Sequence, residues 1–289
     1  MADNLRVLID DAYTYGRNTY STFRKVPSIA SSANMWVDLS MSAGTPKPNF
    51  YVGTELTFTV PTDWYKNGIW HGGAVSPYHK YLHKICLLGS TSVLSPASYF
   101  LCDYLGYYPL IDMDNTNEQF FDNSITLPRY TTGAGVKAFL VATQPYTGGA
   151  FFQIKYTNSD GVSNRVSLLS ITNTSTSIGQ VVNSAVTATG NTSYNSPFIQ
   201  LMKGDTGIQS IQSITFYSTN GGLASLVLCV PIANIMTRET TAWCEFDFIK
   251  DKPSMPRIYD GAYLNLMVLA TGSVAGAATL GEITTIWST

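Results

Sequence analysis

The sequence predicts an all-β fold: an antiparallel, jelly-roll-like β-sandwich over residues 49–289, preceded by an extended N-terminal arm over residues 1–48. Three observations carry this. Short apolar runs are separated by Gly-, Asn- and Pro-containing turns through most of the chain, as in antiparallel sandwiches and barrels. No long spine helix can be traced between them. Pro27, Pro46 and Pro48 break the first 48 residues and favour extended chain there. A chain of 289 residues is long enough to bury a full core without covalent staples.

The arm mixes Tyr, Ser and Asn without a sustained helical or strand period, yet it holds Tyr13, Tyr15, Tyr20, Phe23 and Trp36. Aromatics on an extended segment gain free energy only when covered, at about 25 cal/mol per Å² of apolar surface. The arm is therefore expected to dock on neighbouring subunits, with docking on the chain's own body as the alternative. Leu56 to Val60 alternates as a strand and stops at Pro61. From Ser76 to Gly89, a cap at Ser76 with Pro77 behind it suits a helix, whereas Tyr81, His83, Ile85 and Leu87 suit a strand. Strand is the reading taken for the second half. Ser98 to Leu105, closed by Gly106, fits a short helix or a buried strand.

Beyond residue 128 the β character strengthens. Val136–Ala142 runs to a Pro/Gly turn and Phe151–Thr157 reads as the returning strand. Asn158-Ser159-Asp160-Gly161 is a hairpin turn, with Val162 to Ile171 leading back. Ile211–Tyr217 and Leu223–Pro231 read as a further hairpin about Ser218–Gly222. Ala262–Ala270, a small-residue linker and a closing strand at Leu280–Trp287 complete the chain.

Charged residues make up only 12%, about half the usual share, so the exterior suits coverage by neighbours better than free solution. An extracellular β-protein would share this bias. A net charge of −2 supplies no field for phosphate neutralisation, and the densest basic group is Arg17, Arg24 and Lys25. No nucleic-acid partner is expected. Met1 to Lys25 has no apolar leader core, and the run Leu223–Val230 is too short to span a bilayer, so no membrane partner is expected either. Cys86, Cys102, Cys229 and Cys244 are read as free, buried thiols of a protein assembled in the cytoplasm.

Tests for chemistry find little. His71, His79 and His83 with Cys86 and Cys102 match no standard zinc spacing. Asp112 to Glu118 is oxygen-rich but lacks the Gly and Glu of a calcium loop. There is no nucleophile elbow or phosphate loop, and Asp103 with Asp112 is one of many carboxylate pairs available to a glycosidase. No catalytic, cofactor-binding or metal-binding residue is assigned, no cofactor is expected, and the chain is read as a non-enzyme. The close-set Tyr104, Tyr107, Tyr108, Phe120, Phe121 and Tyr130 suit a core edge or a subunit interface equally.

Several blocks resemble uncharacterised virion proteins of tailed bacteriophages. They are Met35–Tyr51, Gly68-Ile69-Trp70-His71-Gly72 with Ser76-Pro77, Asp103–Asp112, and Leu127-Pro128-Arg129-Tyr130 with Gly133 and Gly135-Val136. They cover about residues 35 to 160. Leu280–Trp287 is also similar to the last strand of viral jelly-roll capsid subunits. The resemblance implies a virion structural protein of the capsid cement, decoration or minor head type. It would be a homo-oligomer, with a trimer as one form, bound to other virion subunits such as the major capsid protein. The alternatives are a receptor- or glycan-binding tail or fibre module, a single-jelly-roll coat protein, and a β-sandwich carbohydrate-active enzyme.

Overall fold

The computed structural model describes residues 5–31, 33–173, 177–182, 196–251 and 255–288. The chain opens with helix α1 (Leu5–Thr14), followed by strands β1 (Asn18–Val26), β2 (Trp36–Asp38) and β3 (Ala43–Thr45). A single helical turn, α2 (Trp64–Asn67), leads to β4 (His79–Gly89) and the long β5 (Ala97–Asp112). Then come β6 (Gln119–Phe120), β7 (Lys137–Ala142), β8 (Phe151–Asn158), β9 (Arg165–Val166), β10 (Ser170–Ile171) and β11 (Ile208–Phe216). The chain finishes with β12 (Leu223–Thr237), β13 (Cys244–Asp247), β14 (Arg257–Ile258), β15 (Leu264–Leu269) and β16 (Thr279–Ser288). Every pairing between these strands is antiparallel.

The strand order defines a jelly roll. One sheet runs β13-β4-β16-β1-β3 and a second runs β2-β15-β5-β12-β7. Eight of these strands pair first with last: β1 with β16, β2 with β15, β4 with β13, and β5 with β12. That is a long antiparallel ribbon folded over on itself, the jelly-roll arrangement. Leu82, Ile85 and Ile283 of the first sheet face Tyr99, Leu101, Leu266 and Val268 of the second, closing one core. The expected closing strand is β16, in the middle of the first sheet.

Residues 113–222 are an insertion between the fourth and fifth strands of the roll. They add a third sheet, β10-β8-β11-β6. Its Phe152, Ile154, Ile211 and Phe216 pack on Leu105, Ile111, Leu226 and Leu228 from the far halves of β5 and β12. The two long strands thus serve both cores. Pro109 and Leu110 lie at a register shift of β5, beyond its pairing with β15, where a missing N–H and a left-handed Leu110 (φ 60) are tolerated.

The second sheet also closes on itself. Residues 179–182 hydrogen-bond to β7 on one side and to β2 on the other, as in Val182 N–H to Leu140 O and Val181 N–H to Trp36 O. Inside the ring lie Cys102, Tyr104, Phe139, Val227, Cys229 and Met267. Asp38 sits among them with no exposed surface, accepting from Ser40, Tyr51 and Tyr104.

Several sequence-based expectations change. The first 48 residues are largely extended, but they join the body: β1 lies between β16 and β3, and α1, not among the expected elements, docks on β16. Leu56 to Val60 forms isolated bridges instead of a strand: Thr57 bridges Asp122 in parallel and Thr59 bridges Tyr107 antiparallel, after a left-handed Leu56 (φ 53). Ser76 to Gly89 contains no helix, and Ser98 to Leu105 is strand that continues through Gly106 to Asp112. Gly106 is needed there because a Cβ would meet the Phe58 ring at 2.2 Å. β11 and β12 are not a hairpin, and neither are β7 and β8. In each pair the strands sit in different sheets and face each other across the core. The return from β8 shrinks to β9 and β10, since the Ser167 hydroxyl accepts the Ile154 N–H.

Candidate interaction surface and cationic cavity

Helix α1 turns Leu8 and Ala12 onto Ile286 of β16 and leaves Leu5 and Val7 in solvent. Its end is fixed by Asp11, which pairs with Arg17 at 2.8 Å and accepts from Ser288 at 2.7 Å. The Tyr13 hydroxyl meets Nδ1 of His83 at 2.5 Å, and the rings make an edge contact. Nε2 of His83 lies 3.4 Å from Asp247, while burial holds the imidazole pKa below its ordinary value. Tyr15 and Tyr20 remain 70% and 56% exposed. The N-terminal segment therefore presents Leu5, Val7, Tyr13, Tyr15 and Tyr20 to solvent, aromatic-rich like the core of a protein interface. The inserted sheet adds Phe120, Phe151 and Tyr217 on its outer side.

Buried charge marks a different region. Arg129 donates to both oxygens of Asp103 at 2.8 and 2.6 Å, and the Tyr263 N–H reaches the same carboxylate. Lys80, fully covered, lies 3.3 Å from Asp260 and donates to Gly73 O at 2.7 Å. Burial lowers its pKa. His71 is stacked on Trp64, with Nε2 3.0 Å from Ala262 O and Nδ1 3.3 Å from Lys80. Burial first, and then the Lys80 charge, push its pKa down to about 4. Of these groups Lys80, Arg129 and Asp260 line an open cavity of about 360 Å³ between Ser76–Tyr78, Pro128–Arg129 and Arg257–Gly261.

The residues singled out in the sequence as candidates for chemistry scatter. His71 is buried by α2, His83 is under α1, and among the described residues no three His, Cys, Asp or Glu side chains gather as a metal-binding group. In the acidic loop Asp112, Asp114 and Asn115 accept backbone N–H groups, while Glu118 pairs with Lys155 at 2.7 Å. Asp103 and Asp112 do not form a pair, since Asp103 belongs to Arg129. Of the tyrosine-rich cluster, Tyr104, Tyr107, Tyr108 and Phe121 are core and Phe120 is exposed. Cys102 and Cys229 are free and buried, whereas Cys86 and Cys244 are half-buried. Sequence reasoning missed the cavity because Lys80, Arg129 and Arg257 meet only through the fold. Among the described residues no helix is long and apolar enough to cross a membrane.

No family model and no curated protein matches the chain. Solved structures of VP2 from infectious bursal disease virus align with it. The subviral particle aligns at 10% identity over 94% of this chain and 80% of that one, with a TM-score of 0.17. The Gx strain aligns at 8% identity over 94% and 79%, also at 0.17. Such scores establish no shared three-dimensional arrangement. The jelly-roll assignment rests on the strand order of this chain.

Proposed function

We propose that this protein is a non-catalytic structural subunit of a virus particle that stabilises a shell through contacts with its neighbours. The observation that carries the reading is the exposed Leu5, Val7, Tyr13, Tyr15 and Tyr20 surface on a jelly-roll body. Jelly rolls serve capsids, lectins and cupins alike, so the fold narrows the choice and the surface directs it. Cement, decoration or minor head protein of a tailed bacteriophage is the finer reading, and it rests on the block resemblance between residues 35 and 160. Virion subunits, including copies of itself, are the proposed partners. A coat-subunit role is the second reading, favoured by the complete eight-strand roll.

Sedimentation velocity of the chain alone and mixed with shells that lack it tests both. Discrete oligomers that co-sediment with the shells support a cement or decoration role. Closed shells formed by the chain alone identify a coat subunit. A chain that stays monomeric and joins no shell contradicts both.

A further inference from the structure

We propose that the cavity bordered by Arg129, Arg257, Tyr78 and Asp260 binds a carboxylate-bearing sugar. Arg129 commits Nε and Nη2 to Asp103, and its Nη1 has no hydrogen-bond partner among the described residues. The missing side chain at Gly261 leaves that nitrogen uncovered on one side, since a Cβ there would touch it at 3.6 Å. Arg257 is exposed and makes no ion pair among the described residues; its guanidinium lies 4.4 Å above the Tyr259 ring. Lys80, by contrast, is bound to Asp260.

The charge count selects the ligand. Lys80, Arg129 and Arg257 line the cavity with Asp260, and Asp103 stands behind Arg129, which leaves three cations against two carboxylates. One uncompensated positive charge matches a monoanion such as a carboxylate better than a doubly charged phosphate. Planar guanidinium groups are suited to a carboxylate's two oxygens. A volume of about 360 Å³ is more than a carboxylate alone needs and falls in the range of small-ligand sites. The remaining wall is suited to a hydroxylated ring: Tyr78, 42% exposed, offers an apolar face and the Ser76 hydroxyl a polar partner, while the Asp260 oxygens already accept the Val75 and Ser76 N–H groups and pair with Lys80. An acidic side chain of a neighbouring protein would use the arginines but not this wall.

The test is calorimetric or ligand-observed NMR titration of the whole chain with glucuronate, glucose, propionate and inorganic phosphate. Saturable glucuronate binding is expected, with glucose, propionate and phosphate each weaker by about tenfold or more. Arg257→Ala should weaken glucuronate binding by about tenfold. An unchanged melting temperature is expected for this variant, because the side chain is exposed. Absence of glucuronate binding, or equal binding by Arg257→Ala, overturns the proposal. Glucose binding as tightly as glucuronate removes the carboxylate from it. Propionate binding as tightly assigns the cavity to an acidic side chain, and phosphate binding as tightly makes it a bare anion site; either result overturns the sugar.

Discussion

Asp103 has no exposed surface, and the ion pair with Arg129 joins the loop between β6 and β7 to the middle of β5. Losing the guanidinium leaves a desolvated carboxylate, so Arg129→Met is expected to cost about 3–5 kcal/mol. Asp103→Asn in that background should recover part of the loss, because the amide oxygen still accepts the Tyr263 N–H. Urea denaturation of the two variants beside the unaltered chain checks both expectations. His71 gives a pH signature. The unfolded chain takes up a proton near the ordinary value of 6.5, while the native imidazole stays neutral to about 4. Stability contributed by neutral His71 is therefore present above 6.5 and falls away as the pH drops towards 4. The difference is about 3 kcal/mol. His71→Gln should flatten that limb of a stability–pH curve. Neither site was legible in the sequence. Asp103 and Arg129 each fall in a block that resembles phage virion proteins, but nothing local pairs residues 26 positions apart.

At the scale of elements, the sequence announced apolar faces well and partners poorly. β4, β5, β8, β12 and β16 all fall where alternating or continuous apolar runs stand. Alternation reports which side of a strand is buried; it carries nothing about which edge is paired. That is why β11 and β12 read as a hairpin although their apolar faces meet across a core. Helix α1 was passed over although Leu5, Leu8, Ile9 and Ala12 stand at the i, i+3, i+4, i+7 spacing of an amphipathic helix, because the run is only ten residues long and heads a proline-broken segment. Deleting residues 1–15 removes α1 and keeps β1. The truncated chain should fold with a loss of about 2–3 kcal/mol, chiefly the burial of Leu8, and should lose its association with neighbours. Deletion through Val26 removes a strand paired on both sides and should abolish folding. Retained association in the shorter truncation would separate α1 from the interface.

For the whole molecule, the all-β class and the jelly-roll-like sandwich were legible, whereas the individual strand pairs and the inserted third sheet were not. Turn-punctuated apolar runs point to a sandwich, but the pairs that make the roll are as distant as Asn18 with Ile286. No local signal spans that separation. β5 and β12 pass through both cores, so the roll and its insertion are expected to unfold as one unit. A calorimetric enthalpy equal to the van't Hoff enthalpy would show this, and two resolved transitions would contradict it. The central claim, membership of a virus shell, is tested most directly by cryo-electron microscopy of purified particles. The account predicts symmetric copies of a jelly roll with its inserted third sheet, with Tyr15 and Tyr20 buried against a neighbouring subunit. Particles that lack the chain, or that carry it with this face in solvent, would contradict the account.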